Sequence, residues 1–173
     1  MSVARIRPVQ DSDLEQLLTW RNHPQVRRNR FHPDVIDLDT HRRWFEKVRV
    51  NPLIHTFIFD EGQGPAGFFR LDERAGQQAG EWGFYAAPDA PRGTGRRLGV
   101  AAIAYAFGPL NWHRLSGWTI ASNERSIRMH LALGFRQEGL MREYHRVDAQ
   151  HYVDVCCFGL LRSEWPGPLD PPT

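Results

Sequence analysis

The order of apolar patterns along the chain predicts an α+β domain built on a mixed, mostly antiparallel sheet. Three observations lead to this prediction. An alternating strand pattern opens the chain, two helical repeats follow, and several consecutive strand patterns then give way to strands that alternate with helices. The chain has 173 residues, a length typical of one domain. We expect that domain to cover residues 1–165 and a Pro-rich tail to occupy 166–173.

The first third of the chain predicts one strand and two helices. Val3–Arg7 alternates apolar and polar residues as a strand does. A helix follows that Asp11 or Ser12 can cap, and it ends before Pro24, because the residue preceding a proline disfavours helical geometry. After a polar segment at Gln25–Asp37, Asp39 or Thr40 can cap a second helix. The expected inner faces of the two helices contain Leu14, Leu17, Leu18, His41, Trp44, Phe45 and Val48.

The rest of the chain predicts six strands and two helices. Leu98–Ala106 carries an apolar helical face, and Asn123 can cap a last helix that carries Ile127 and Leu131 and ends at Gly134. The predicted strands are Ile54–Phe59, Ala66–Leu71, Glu81–Ala86, Leu115–Ile120, Phe135–Tyr144 and His151–Leu161.

Composition and charge exclude several classes of protein. The formal net charge is only +2 with 22 basic residues, so we expect no nucleic-acid partner. No apolar stretch is long enough to cross a bilayer and no leader pattern opens the chain, so we expect a cytoplasmic protein with no membrane contact. Cys156 and Cys157 are adjacent and unsuited to pairing, and the histidines lack metal-site spacing, so we expect neither a disulfide nor a metal.

A glycine-containing segment between a strand and a helix is the first candidate site. Its sequence is Arg92-Gly93-Thr94-Gly95-Arg96-Arg97-Leu98. Glycines let a backbone approach a ligand, and the first turn of a helix offers N–H groups to an anion. The arginines can fork onto phosphate oxygens. A strand-to-helix turn with solvated arginines is the alternative, since the glycine spacing matches neither a Walker loop nor a dinucleotide fingerprint.

Further motifs make the chain similar to a known superfamily. Arg92-x-x-Gly95 precedes a helix, and Asn123-Glu124-Arg125-Ser126-Ile127-x-x-His130, Gly134-Phe135 and Tyr152-Val153-Asp154-Val155 follow. Together they resemble the GNAT superfamily of N-acetyltransferases. Three more segments resemble the enzymes that acetylate the 4-amino group of a nucleotide-linked amino sugar in pseudaminic-acid biosynthesis. These segments are Arg21-Asn22-His23-Pro24-x-Val26-Arg27, His41-x-x-Trp44-Phe45 and Phe84-Tyr85-Ala86-x-Pro88.

The resemblance implies a sheet that splays between its fourth and fifth strands and receives acetyl-CoA there. It implies that the pantetheine pairs with the backbone of Phe84, Tyr85 and Ala86 and that the pyrophosphate lies on Arg92–Leu98. Asn123 and Ser126 are then expected to face the cofactor. Two positions depart from the superfamily pattern, because Arg97 replaces a small residue and His130 replaces a tyrosine.

Acetyl transfer to an amine requires a base, since alkyl amines are mostly protonated at neutral pH. Glu81 is the candidate base, and a solvated strand carboxylate is its alternative role. His130 is the candidate acid for the departing thiolate, with Tyr85 and Tyr144 in reserve, and a histidine bonded to a carbonyl is the alternative. Lys47 is the one lysine, so we expect neither a lysine base nor a Schiff base.

The resemblance also implies an acceptor site near the first two helices. Its candidates are Arg21, Asn22, Arg30, His32 and Trp44, although periodicity alone makes Trp44 a core residue. The expected acceptor is a small-molecule amine, preferably a UDP-linked amino sugar. A protein N-terminus is the alternative acceptor, and a non-catalytic acyl-CoA-binding module is the alternative function. We expect a monomer or a homodimer.

Overall fold

The computed structural model describes residues 5–167, so Val3 and Ala4 of the predicted first strand and residues 168–173 of the predicted tail lie outside the described residues. The strands are β1 Arg5–Pro8, β2 Ile54–Asp60, β3 Pro65–Arg74, β4 Ala79–Ala86, β5 Arg114–Ile120, β6 Arg136–Arg146 and β7 Tyr152–Leu161. The α-helices are α1 Leu14–Asn22, α2 Pro24–Arg27, α3 Leu38–Arg49, α4 Thr94–Phe107 and α5 Glu124–Ala132.

The seven strands follow the order β1-β2-β3-β4-β5-β7-β6. β1 with β2, β2 with β3, β5 with β7 and β6 with β7 are antiparallel, whereas β4 and β5 are parallel. The register between β4 and β5 matches Ala79–Glu81 with Arg114–Ser116, which are the first three residues of each strand. The predicted α+β class with a mixed, mostly antiparallel sheet is therefore confirmed.

The chain forms two compact units, a division that the sequence did not predict. Within the described residues, the first unit consists of the chain up to Asp72 together with Gly83–Leu98. The second unit consists of Glu73–Trp82 and the described chain after Leu98.

The first unit has its own apolar core, to which helices and strands both contribute. Leu14 and Leu17 of α1 are buried, as the sequence predicts for this face, and Trp20, three residues further along the helix, is buried with them. Side chains of α3 and of two strands complete the cluster. Its other buried members are Val9, Phe45, Val48, Ile58, Phe68 and Ala87.

The second unit buries one face of α4 and the inner residues of β5 and β7. Trp112, which follows α4, is fully buried. In α5, His130 is buried and Leu131 is half exposed. The remaining large buried side chains of this unit include Ile103, Leu115, Val155, Phe158 and Leu160.

Two helix starts differ from the sequence prediction. Asp37, not Asp39 or Thr40, caps α3, because its Oδ1 accepts the Thr40 N–H at 2.7 Å and its Oδ2 accepts the Thr40 hydroxyl at 2.9 Å. The short helix α2, which no sequence pattern predicted, extends into the polar segment Gln25–Asp37. Pro24 occupies its first turn, where a missing N–H carries no penalty, and the His23 side chain accepts the Gln25 N–H at 3.3 Å.

Asp13 holds the start of α1 against β1. Its carboxylate accepts hydrogen bonds from both terminal nitrogens of Arg7, at 2.7 and 2.8 Å, and from the Gln10 N–H at 2.8 Å. Burial alone raises the pKa of Asp13, but the bonds from Arg7 and Gln10 outweigh it and hold the pKa below its ordinary value. The ion pair therefore stabilises the fold above the ordinary aspartate pKa and is lost as the pH falls through the lowered one.

We expect Asp13→Asn to lower the free energy of unfolding by about 1–2 kcal/mol at pH 7, because two charge-assisted bonds are lost. Denaturant unfolding at pH 7 and at pH 3 measures the difference, which shrinks at pH 3 because this lies below the ordinary aspartate pKa, where the unfolded chain takes up the proton. Asp11→Asn is the control, since that carboxylate is largely exposed and meets Arg49 at 3.3 Å. Equal losses in the two variants would contradict the role given to Asp13.

Candidate functional site

The glycine loop and the start of α4 form the anion-binding candidate of the first unit. α4 begins at Thr94, four residues before the apolar face that predicted it. Gly93 has a φ of +87°, a conformation that favours glycine. The N–H groups of Arg96 and Arg97 donate to the Gly93 carbonyl at 3.0 and 3.2 Å. These hydrogen bonds partly occupy the two amides. An anion at this loop would therefore depend more on its side chains, and less on its backbone N–H groups, than the sequence predicts.

A carboxylate that the sequence did not single out lies on this loop. Glu61, in the turn between β2 and β3, accepts the Thr94 hydroxyl at 2.6 Å with Oε2 and the Arg97 Nε–H with Oε1. The hydrogen bond from Arg97 is the main cause that lowers the pKa of Glu61. Its position in a polar turn gave no signal, because the contact joins residues 36 positions apart in the chain.

Arg97 is therefore tied within the protein. Besides Glu61, its terminal nitrogens approach the Arg92 carbonyl at 3.4 Å and the Thr94 hydroxyl at 3.2 Å. Glu61 therefore competes with a phosphate group for the Arg97 guanidinium. The side chains of Arg92 and Arg96 are exposed, so these two remain the candidate phosphate ligands of the loop.

The end of β4 lies beside the start of α4 in the same unit. Phe84, Tyr85 and Ala86 are half-buried there. A Cβ on Gly67 of β3 would come within 2.4 Å of a Leu98 methyl group and 3.1 Å of the Tyr85 carbonyl oxygen. Gly67 thus permits the close approach of β3, β4 and α4. No sequence motif indicated this role for Gly67.

A row of rings continues from Tyr85, and we call it the arginine–aromatic row. It consists of Arg30, Tyr85, Phe68, Trp44 and His41. The Arg30 guanidinium lies 5.5 Å from the centroid of the Tyr85 ring, and the Tyr85 and Phe68 rings are 5.2 Å apart. Trp44 meets Phe68 edge-on at 6.2 Å and stacks on His41 at 5.2 Å. Two predicted acceptor residues, Arg30 and Trp44, thus belong to one continuous row with Tyr85.

The arginine–aromatic row is positively charged. Burial lowers the pKa of Arg30, and the charge of Arg21 lowers it further, whereas Tyr85 opposes both. Burial, and then the charge of Arg21, lowers the pKa of His41, so that imidazole is neutral at pH 7. Burial also raises the pKa of the Tyr85 hydroxyl, with Arg30 and Arg21 opposing. Since guanidinium stays charged, the row carries net positive charge beside aromatic faces.

Two other acceptor candidates hold a loop. The Asn22 side chain donates to the Ile36 carbonyl at 2.8 Å and accepts the Ile36 N–H at 3.0 Å. The Arg21 guanidinium donates to the carbonyls of His32 at 2.6 Å and Asp34 at 3.2 Å. These bonds give Asn22 a structural role in the loop, and the His32 carbonyl is one of the acceptors for Arg21.

In the second unit, His130 is the centre of a buried polar contact. Its Nε2 lies 3.1 Å from the indole N–H of Trp82, which donates to it. Its Nδ1 lies 2.8 Å from the Ser126 carbonyl, so the proton is assigned to Nδ1. The ring stacks on Phe158 at 4.5 Å and meets Phe135 edge-on at 5.1 Å. Only 2% of His130 is exposed.

This arrangement argues against the predicted role of His130 as an acid. Burial lowers its pKa although the Ser126 carbonyl opposes the shift, so the imidazole is neutral at pH 7. Its one proton is given to the Ser126 carbonyl, and Nε2 accepts from Trp82. The geometry favours the alternative from the sequence, a histidine bonded to a carbonyl. Tyr144, a reserve acid, is 59% exposed on β6 beside Trp118, at a ring distance of 6.0 Å.

Glu81 occupies the exposed face of β4. It is opposite Ser116 in the register with β5, and Trp82 beside it is buried. A Cβ on Gly83, two residues along the same face, would meet no atom within 4 Å. An exposed carboxylate on an open strand face suits proton transfer to and from solvent.

Asn123 caps α5 as the sequence predicts. Its side chain accepts the Ser126 N–H at 3.2 Å. Within residues 5–167, no group of three or more His, Cys, Asp and Glu side chains is arranged to hold a metal ion. No helix in that part of the chain is long and apolar enough to cross a membrane.

Comparison with solved structures finds the same fold in enzymes that act on polyamines. The spermidine N-acetyltransferase of Vibrio cholerae, solved with CoA and spermine, superposes with a TM-score of 0.86 over 95% of this chain and 98% of that one. Their sequences are 22% identical. A chimera of that enzyme superposes with a TM-score of 0.83 at 21% identity, covering 92% of this chain and 96% of the chimera.

Sequence comparison gives relatives of the same kind. An uncharacterized N-acetyltransferase p20 of Bacillus licheniformis is 30% identical over 115 residues, 62% of this chain and 60% of that protein. An uncharacterized prophage-derived N-acetyltransferase, YokL, of Bacillus subtilis strain 168 is 29% identical over 89 residues, half of each chain. The chain thus spans between half and 60% of the length of these curated relatives. The sequence model of the family described as acetyltransferase (GNAT) domain matches residues 4–136, and the chain belongs to that family.

Proposed function

We propose that the protein is an acetyl-CoA-dependent N-acetyltransferase that transfers acetyl directly to a primary amine. The observation that carries this proposal is the loop Arg92–Leu98 in a member of the GNAT family. The loop turns at Gly93, opens a 14-residue helix and exposes the cationic side chains of Arg92 and Arg96. A glycine turn, a helix N-terminus and exposed guanidinium groups fit the phosphates of CoA.

The chain's own residues supply the proton chemistry in this proposal. Acetyl-CoA supplies an activated acetyl thioester when it is bound. Glu81 takes the proton that the amine must lose before it can attack, and the exposed face of β4 returns that proton to solvent. A thiol has a pKa of about 8.5, so its thiolate departs without a strong acid, and His130 is not needed as a donor. Tyr85 keeps its proton because burial raises its pKa, and it can donate a hydrogen bond.

The acceptor that we propose is a nucleotide-linked amino sugar. Its pyrophosphate is anionic and its base is aromatic, which suits the positive charge of Arg30 and Arg21 and the rings of the arginine–aromatic row. A polyamine is a multiple cation, and two half-buried guanidinium groups repel it. The fold likeness to spermidine N-acetyltransferases nevertheless makes spermidine the second candidate acceptor.

An acceptor panel tests both levels of the proposal. Thiol release from acetyl-CoA is measured with a UDP-linked 4-amino sugar, spermidine and a short peptide with a free N-terminus. We expect turnover with the amino sugar and far less with the other two. Preference for spermidine or for the peptide would overturn the proposed acceptor but leave the proposed acetyl transfer intact. A thermal shift with CoA but no turnover on any acceptor of the panel would instead support a binding module.

Replacing Arg30 tests the acceptor charge directly. We expect Arg30→Met to raise the acceptor KM about tenfold, because a cation paired with an anionic acceptor is lost, and to leave the KM for acetyl-CoA unchanged. Arg28→Met is the matched control, since Arg28 lies two residues away with an exposed side chain. Steady-state kinetics with each substrate varied in turn measures both constants. A lower acceptor KM in Arg30→Met would show that the acceptor is cationic.

A further inference from the structure

Glu61 joins two parts of the first unit that are far apart in sequence. Its carboxylate is mostly buried and lies between the β2–β3 turn and the first turn of α4. One oxygen accepts the hydroxyl of Thr94, a residue that is only 1% exposed, and the other accepts the Arg97 Nε–H. Charge-assisted bonds of this kind fix the geometry of both donors.

The fixed guanidinium in turn supports the glycine turn. Arg97 reaches back across the loop, with its terminal nitrogens 3.4 Å from the Arg92 carbonyl. A Cβ on Gly93 would lie 2.7 Å from Arg97 Nη1, so the guanidinium packs directly against the backbone of this turn. Gly93 has a positive φ, and a turn of this kind depends on its neighbours to keep it in one conformation.

We infer that Glu61 is a positioning residue for the CoA-binding loop and that Arg97 is a strut of that loop and not a phosphate ligand. This inference rests on the proposed function. It also explains the arginine at a position where the superfamily pattern has a small residue. The extra charge of Arg97 is neutralised by Glu61, which leaves Arg92 and Arg96 to meet the phosphates.

The inference and the sequence expectation predict opposite results for Glu61→Gln. If Arg97 gripped phosphate, removing its internal partner would release it and tighten CoA binding. If Arg97 is a strut, the same change loosens the loop and weakens CoA binding. The strut also predicts that Glu61 and Arg97 act as one unit, whereas Arg96 acts independently.

Isothermal titration with CoA tests this in five variants and the parent protein. We expect Glu61→Gln and Arg97→Gln each to raise the Kd for CoA about fivefold, and the double variant to raise it no further. Arg96→Gln is the control, and its effect should multiply with that of Glu61→Gln in the second double variant. The KM of Glu61→Gln for acetyl-CoA should rise in parallel with its Kd for CoA while its acceptor KM does not rise, a split that general destabilisation would not give.

The outcomes separate the two proposals. Unchanged or tighter CoA binding in Glu61→Gln, or additive effects of Glu61→Gln and Arg97→Gln, would overturn the strut and leave the proposed function intact. A parent protein that binds no CoA would overturn the proposed function and the strut with it. Thermal unfolding of each variant, measured without CoA, identifies any variant that fails to fold, and Thr94→Val then replaces it, since Thr94 donates to the same carboxylate.

Discussion

Gly117→Ala is expected to lower the free energy of unfolding by about 3 kcal/mol and the midpoint of thermal unfolding by about 10 °C. Gly117 lies on the buried side of β5 in the second unit. A Cβ there would come within 2.4 Å of His130 Nε2 and 2.7 Å of Trp82 Nε1. These two atoms are the ends of the hydrogen bond between His130 and Trp82, so the added methyl group would force them apart.

The expected loss of stability is large because the Trp82 and His130 rings are both packed against other rings and cannot move apart freely. His130 stacks on Phe158 at 4.5 Å, and the Trp82 ring stacks on Phe135 at 5.2 Å. Separating the pair leaves a buried donor and a buried acceptor without each other, which adds to the cost of overpacking. Burial lowers the pKa of His130 from its ordinary value, so the imidazole is neutral and the effect should not depend on pH between 7 and 8.5.

Gly139→Ala is the matched control. Gly139 lies in β6 of the same unit, and a Cβ there would meet no atom within 4 Å. We expect its midpoint to change by less than about 1 °C. Calorimetry or thermal circular dichroism on both variants measures the difference. If Gly117→Ala unfolded at the same temperature as Gly139→Ala, the buried Trp82–His130 contact would not be the constraint that we describe.

The course of the fold could be predicted from the sequence because local patterns determine it. The apolar spacing of α1 and α3 and the strand runs from β2 to β7 each appear within a few residues of their observed positions. The first residue of each helix was predicted less accurately, because geometry decides which of several neighbouring polar residues acts as the cap. The sequence offered Asp39 or Thr40 as the cap of α3, and the hydrogen bonds from Thr40 to Asp37 place the cap before both.

The candidate site could be predicted only in part, because its decisive contacts are distant in the chain. The sequence identified the loop at Arg92–Leu98 but could not place Glu61 on it. It identified His130 as chemically interesting but could not show that Trp82, 48 positions away, supplies its second hydrogen bond. Residue type indicates what a side chain can do, whereas its partners decide whether it is available to do it.

We expect Glu81→Gln to lower kcat/KM for the amine by about a hundredfold or more, while the Kd for CoA stays unchanged. Glutamine keeps the shape and the hydrogen-bonding reach of glutamate but cannot accept a proton. Because Glu81 lies on the exposed face of β4, removing its charge should not disturb the fold. Glu124→Gln is the control, since Glu124 is an exposed carboxylate of α5 that pairs with Arg128 at 3.0 Å.

The pH dependence of that defect identifies the step in which Glu81 acts. An alkyl amine has a pKa near that of lysine, about 10.4, so the fraction that is already neutral rises roughly tenfold for each pH unit below this value. A variant without a base depends on that neutral fraction, and its deficit relative to the parent protein should therefore shrink from pH 7 to pH 9.5. A deficit that stays constant over this range would mean that Glu81 positions the amine and does not deprotonate it. Turnover within twofold of the parent protein at pH 7 would remove Glu81 from the reaction and leave the loop at Arg92–Leu98 as the part of the proposed site still to be tested.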